Sequence, residues 1–240
     1  MVVVRSILFN VAFYASLVVW LIIALPTFLM PYRAIVGVAK AWGRYDLFLL
    51  RVICGLDADF RGIEKIPPGP LLVAAKHQSA WETFALLWLF EDPTFILKRE
   101  LQWIPLFGWF TIKGRMIPVD RGAGSAGLIA MTERARNELA NGRQIVIFPE
   151  GTRRPAGAEP QYKYGITRLY LGANVPVLPI ALNSGLFWRR RSILRRPGTI
   201  VAQMLDPIPP GLGEEEFMAR LQNDIETATA RLIEEGQRSA

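Results

Sequence analysis

The sequence predicts an α/β domain with a mixed, mainly parallel sheet flanked by helices, preceded by an N-terminal membrane-associated helical segment. Three observations carry this expectation. From Leu71 onward, short β-type runs alternate with helix-length segments, the pattern of strand–helix–strand units. The chain has 240 residues, enough for one globular core plus a short appendage. The stretch from Ser6 to Tyr32 carries no charged residue, and half of the whole chain is hydrophobic.

Within the uncharged stretch, Ile7 to Leu25 is almost wholly apolar and about as long as a bilayer-crossing helix. It is longer than the apolar part of a cleaved signal peptide. Pro26 and Pro31 interrupt it, and a second, partly apolar stretch follows from Ala34 to Leu50, with Lys40 and Arg44 along it. This reads as a hairpin or a surface-lying pair of helices. Basic residues stand on both sides, Arg5 and Arg33, so charge asymmetry sets no direction, and a monotopic anchor is the expectation. Residues 1–50 are thus assigned to the anchor and residues 51–240 to a catalytic domain.

In that domain Leu71 to Ala75, Thr94 to Leu97, Met116 to Val119, Gln144 to Phe148, Val177 to Leu182 and Thr199 to Leu205 read as strands. Trp81 to Phe90, Leu101 to Ile112, Ser125 to Ala140, Tyr164 to Ala173 and Glu214 to Glu235 read as helices. Ligands of such sheets sit beyond the strand C-terminal ends.

The formal charge of +7 suits a polyanionic partner, either nucleic acid or an anionic lipid surface. Five arginines cluster in W-R-R-R-S-I-L-R-R, Trp188 to Arg196, which reads as a patch for anionic membrane lipid or as a solvated basic loop. One cysteine, Cys54, excludes an internal disulfide, and one histidine leaves no set for a Cys/His metal cluster; no metal or cofactor is expected.

The first strand runs into K-H-Q-S-A-W-E, which places Lys76, His77 and Ser79 at its end and Glu82 in the next helical turn. A neutral imidazole accepts a proton, and a carboxylate beside it orients the ring and stabilises its cation. Residues five apart on a regular helix point about 140° away from each other, so His77 must precede the helix for the two to meet.

H-Q-S-A-W-E resembles the H-x4-D/E box of the glycerolipid acyltransferases, the lysophosphatidate acyltransferase family, with Glu82 where most members carry Asp. The resemblance implies His77 as base and Glu82 as its orienting acid. G-R-M-I-P-V-D-R, Gly114 to Arg121, is similar to the second block, with Pro118 in place of the usual bulky aromatic, and implies that Arg121 holds a substrate phosphate. F-P-E-G-T-R-R, Phe148 to Arg154, is similar to the third and most specific block. It implies that Glu150, Gly151, Thr152 and Arg153 contact the glycerol phosphate or brace the loop that does. V-P-V-L-P-I, Val175 to Ile180, resembles the fourth block. K-R-E-L from Lys98, followed by W-I-P-L-F-G-W-F, also resembles the family and adds Lys98 to the binding set. The four blocks occur in order between about residues 70 and 185.

The implied reaction moves a fatty acyl group from acyl-CoA or acyl carrier protein to a lysophospholipid acceptor, 1-acylglycerol 3-phosphate above all, at a membrane with the active site facing the cytoplasm and with no part for nucleic acid. Another lysolipid is the alternative acceptor. Among readings from other classes, G-A-G-S-A-G at Gly122 to Gly127 mimics a dinucleotide fingerprint, but at least two strands precede it. No serine stands in a G-x-S-x-G elbow. A non-enzymatic membrane-binding module accounts for the anchor and the arginines but leaves the ordered blocks without a role.

Overall fold

The six runs read as strands lie side by side in one sheet, joined by a further strand at its edge; the description rests on a computed structural model covering residues 1–238. In chain order they are β1 (Leu56–Arg61), β2 (Leu71–Ala75), β3 (Pro93–Lys98), β4 (Ile117–Val119), β5 (Gln144–Ile147), β6 (Val177–Leu182) and β7 (Gly198–Met204). Across the sheet the order is β1-β7-β6-β2-β5-β3-β4. All neighbouring pairs are parallel except β6 and β7, so the mixed, mainly parallel sheet is present.

β2 shows why the sheet has two covered faces. All five of its residues are buried, and they alternate between two cores. Leu71, Val73 and Ala75 face a cluster with Leu178, Ile180, Trp81 and Phe84. Leu72 and Ala74 face another with Ile145, Ile147, Met131 and Leu169. Onto the second face pack α5 (Gly124–Ala140), α6 (Gly165–Ala173) and the long C-terminal α8 (Glu214–Arg238), whose Phe217, Leu221 and Ile225 repeat at helical spacing.

The first face is covered by α1 (Val2–Ile23), α2 (Arg33–Leu49) and the four-residue α3 (Glu82–Ala85). Phe9 of α1 is fully buried edge-on against Trp188, and Phe13 packs on Trp42 and Phe84. Ser16 donates to Asp46 across the two helices (2.9 Å). Ile7, Leu8, Val11, Val18 and Val19 on the rest of α1 stay exposed. The segment Val2–Leu29 is the one stretch among the described residues long and apolar enough to cross a membrane, and little of it is buried by protein.

Three differences from the expected elements have identifiable causes. β1 alternates Leu56, Ala58 and Phe60 with Asp57, Asp59 and Arg61, a half-buried edge pattern easily taken for a charged loop. The run Trp81 to Phe90 forms only α3 and a 3-10 turn at Leu87–Leu89; it is apolar and buried on several sides, so it lacks the solvent face that helical period requires. The run Leu101 to Ile112 splits into a 3-10 turn, Arg99–Trp103, and α4 (Phe107–Lys113), because Pro105 pushes Ile104 into an extended conformation. A short α7 (Ser184–Phe187) also follows β6.

Candidate active site

Because β6, β2, β5, β3 and β4 are parallel, their C-terminal ends open on one edge, and the first three sequence blocks deliver their polar residues there. His77 follows β2, Phe148 to Gly151 follow β5, Lys98 closes β3 and Arg121 follows β4. His77 stands in the loop ahead of α3, as the five-residue spacing demands, and its Nδ1 lies 3.0 Å from Glu82 Oε1. The Phe148 ring stacks on the imidazole at 3.9 Å and fixes its plane. With Nδ1 engaged by the carboxylate, Nε2 is the nitrogen left to accept a proton.

Glu82 is fully buried yet held as an anion. Oε1 also accepts the backbone N–H groups of Gln78 (2.6 Å) and Ser79 (2.7 Å), while Oε2 accepts the Ser79 hydroxyl (2.9 Å). Burial pushes this carboxyl up, but the His77 ring and the backbone donors outweigh it and leave Glu82 below the ordinary carboxylate value. Ser79 thus braces Glu82 through both its N–H and its hydroxyl, and its oxygen also accepts the Trp81 N–H (2.9 Å).

His77 lines a cavity of about 840 Å³, with Glu82 buried behind it. The walls are largely apolar: Leu21, Val38, Ala39 and Trp42 from α1 and α2, with Phe110 from α4 and Phe95 from β3. Of the aromatic-rich segment after Lys98, Leu101, Phe107 and Phe110 line the cavity, whereas Trp103 and Trp109 point to solvent. Lys98, Arg121, Gly151 and Thr152 stand on the polar side of the same cavity.

The third block is braced from several directions. Arg121 donates to the Gly151 carbonyl (2.5 Å), and the Arg154 N–H donates to the His77 carbonyl (2.8 Å). Gly151 has φ +63°, a left-handed turn that favours glycine. Glu150 is buried against Lys76 (3.1 Å), which also reaches Glu226 of α8 (2.7 Å). Burial pushes the Glu150 carboxyl up, opposed by the Lys76 charge. Arg153 is half-buried next to Thr152, outside the set lining the cavity, and its carbonyl accepts from Arg190 (3.1 Å). Lys98 is half-exposed and paired with Glu100 (3.2 Å).

Sequence reading missed two residues here. Lys163 lines the cavity close to Gly151, and Ser184 bonds Glu82 Oε2 (3.0 Å) from the end of β6. Neither belongs to a block: the Lys163 N–H folds its loop back onto the Pro149 carbonyl (2.8 Å), and the pairing of β6 with β2 brings in Ser184. The G-A-G-S-A-G segment serves packing: a Cβ at Gly127 would run into the Asp120 carbonyl, so the glycine lets α5 lie close to the end of β4. β4 is the edge strand of the sheet, so this glycine-rich turn is not the first strand–turn–helix of a dinucleotide fold. No group of three or more potential metal ligands occurs among the described residues.

Known proteins are similar to this chain. Residues 57–183 match the family model described as Acyltransferase. The chain is 38% identical over 202 residues to the 1-acyl-sn-glycerol-3-phosphate acyltransferase of Pseudomonas aeruginosa, covering 82% of this chain and 77% of that protein. It is 26% identical over 237 residues to the 1-acyl-sn-glycerol-3-phosphate acyltransferase alpha of Homo sapiens, covering 95% of this chain and 83% of that one. The fold superposes with a TM-score of 0.80 on the crystal structure of the 1-acyl-sn-glycerophosphate (LPA) acyltransferase from Thermotoga maritima, at 23% identity and over 97% and 98% of the two chains. With the family match running from β1 through β6 and the Pseudomonas relative similar across most of both chains, this protein belongs to the acyltransferase family.

Proposed function

We propose that the protein transfers a fatty acyl group from an acyl thioester to the sn-2 hydroxyl of 1-acylglycerol 3-phosphate, giving phosphatidate. The observation that carries this reading is that His77, backed by Glu82, lines a largely apolar cavity together with Lys98, Arg121 and Lys163. An acyl chain fits the apolar part, and a phosphate monoester suits the cations. The similarity to the 1-acyl-sn-glycerol-3-phosphate acyltransferases of Pseudomonas aeruginosa and Homo sapiens supports the same acceptor.

His77 Nε2 takes the proton from the acceptor hydroxyl as its oxygen attacks the thioester carbonyl. The tetrahedral oxyanion collapses, the carbon–sulfur bond breaks, and the departing thiolate takes the proton back from the imidazolium. Glu82 orients the ring and stabilises its transient charge. No acyl-enzyme is needed, since both substrates are held in one complex. Lys98, Arg121, Gly151 and Thr152 contact the acceptor phosphate, while Glu150 and Arg153 hold their loop in place. The donor is acyl-CoA or acyl carrier protein.

Residues 1–50 serve as the membrane-anchoring segment and 51–240 as the acyltransferase domain, with the site facing the cytoplasm. The arginine cluster joins the anchor: Asn10 of α1 donates to the Ile193 carbonyl (2.9 Å), and the Arg195 N–H donates to Ser6 Oγ (2.8 Å). Arg189, Arg190, Arg191 and Arg196 stay exposed beside that contact, as does Ile193, which suits an anionic lipid surface. Changing these four arginines to glutamine is expected to weaken binding to vesicles containing phosphatidylglycerol by up to about a thousandfold, leaving neutral vesicles unaffected. Equal sedimentation of both proteins with anionic vesicles would remove the patch from the anchor.

The reaction is tested with purified enzyme, a labelled acyl thioester and a lysolipid panel. Phosphatidate formed from 1-acylglycerol 3-phosphate is the expected product; transfer only to a different lysolipid would overturn the acceptor. In the same assay Arg121→Ala should raise the acceptor KM by about tenfold with kcat within about twofold, because a bidentate guanidinium–phosphate contact is lost. An unchanged KM would remove Arg121 from the phosphate site.

A further inference from the structure

Glu82 stands where an aspartate is usual in the H-x4-D/E box, and its carboxylate hangs on one more rotatable bond. A glutamate in this place needs something to stop that bond from turning. Ser184 lies one residue beyond the stretch matched by the family model and donates its hydroxyl to Glu82 Oε2 (3.0 Å), in a pocket where both side chains are fully buried. The Ser79 hydroxyl reaches the same oxygen (2.9 Å), so Oε2 is held from two sides while Oε1 is directed at His77 Nδ1.

Ser184 is itself fixed. Its neighbour Gly185 donates its N–H to Gln78 Oε1 (2.8 Å), which ties the end of β6 to the residue beside His77. A Cβ at Gly185 would lie 3.1 Å from Gln78 and 3.2 Å from the Ala156 backbone, so the contact is close-packed at that point. β6 neighbours β2 in the sheet, and both strands deliver their ends to the same place.

We propose that Ser184 is a positioning residue, which locks the Glu82 carboxylate in the one orientation that serves His77 and so adapts a glutamate to the histidine–acid pair. The inference rests on His77 being the base. It predicts that the value of the Ser184 hydroxyl depends on the length of the acid: the shorter side chain of a Glu82→Asp variant draws back from Ser184 by one methylene.

The test compares kcat and KM for the wild type, Ser184→Ala, Ser184→Thr, Glu82→Asp and the Ser184→Ala/Glu82→Asp double variant, with folding followed by circular dichroism. Ser184→Ala is expected to lower kcat about tenfold, the size of losing a hydrogen bond to a buried charge, with the acceptor KM within about twofold. Ser184→Thr, which keeps the hydroxyl, should restore most of the rate. In the Glu82→Asp background the alanine change should cost less than about twofold, a non-additivity that a merely structural serine does not produce. Equal losses in both backgrounds, or a raised KM at unchanged kcat, would overturn the proposal. If Ser184→Ala does not fold, Ser184→Thr measured in the wild-type and in the Glu82→Asp backgrounds decides: an equal effect of the added methyl on kcat in both overturns the coupling. His77→Ala, assayed alongside, separates the two failures, since its activity tests the base and leaves the Ser184 comparison to test the clamp.

Discussion

Replacing His77 with alanine is expected to lower acyl transfer by about a thousandfold, the middle of the range for removing a general base. The residue is the sole histidine in the chain, and the described site offers no neighbour to take its place at the end of β2. KM should change little, since the cavity walls and the rim cations are untouched. Turnover within about tenfold of the wild type would remove His77 from the chemistry.

The same variant should also be less tolerant of acid. Glu82 is held below the ordinary carboxylate value against burial, chiefly by His77. A group whose folded value is depressed stabilises the fold above its unfolded value, and that stabilisation disappears as pH falls through the folded value, here a window beginning at about pH 4 and running downward. Without His77 the burial contribution gains weight, the folded value rises and the window narrows. Acid titration by tryptophan fluorescence should find the variant unfolding at higher pH than the wild type; coincident curves would show that His77 does not set the Glu82 charge.

Asp92→Ala is expected to be the most destabilising of the changes considered, by about 3 kcal/mol, the lower end for breaking a buried ion pair. Asp92 Oδ1 accepts from Arg143 Nε (3.0 Å), and Oδ2 accepts the Tyr32 hydroxyl (2.6 Å). Arg143 is completely buried and keeps Glu138 (2.9 Å) and the Pro93 carbonyl (3.0 Å) in the variant, which limits the loss. For a chain of this size the change corresponds to a fall in Tm of roughly 6–12 °C. Tyr32→Phe should cost only about 1 kcal/mol, a single hydrogen bond. Because Tyr32 lies at the start of α2, the pair ties the N-terminal helices to the base of the sheet. A thermal midpoint for Asp92→Ala within about 2 °C of wild type would show that Arg143 is adequately paired without Asp92.

Much of this was legible in advance. The apolar runs at Leu71 to Ala75 and Val177 to Leu182 match β2 and β6, since buried parallel strands read as continuous hydrophobic segments. The His77–Glu82 spacing required a loop-to-helix junction, and the chain forms one. Where several conformations bury the same side chains, as from Trp81 to Phe90, periodicity carried no information about which would form. Ser184 and Lys163 were illegible for another reason: a serine after a strand and a lysine in a loop are common, and the partner of Ser184 lies about a hundred residues away in the chain.

By itself the sequence determined six of the seven strands, the helices Gly124–Ala140, Gly165–Ala173 and Glu214–Arg238, the uncharged N-terminal stretch and the order of the four blocks, because burial and backbone preference act over neighbouring residues. Tertiary structure decided that α1 and α2 wall the cavity together with the sheet, that Glu150 is spent on Lys76 rather than exposed at the rim, and that Ser184 meets Glu82. Those contacts join residues up to about a hundred positions apart. They exist only because parallel strands bring distant loops to one edge of the sheet, a consequence of strand order that local pattern does not encode.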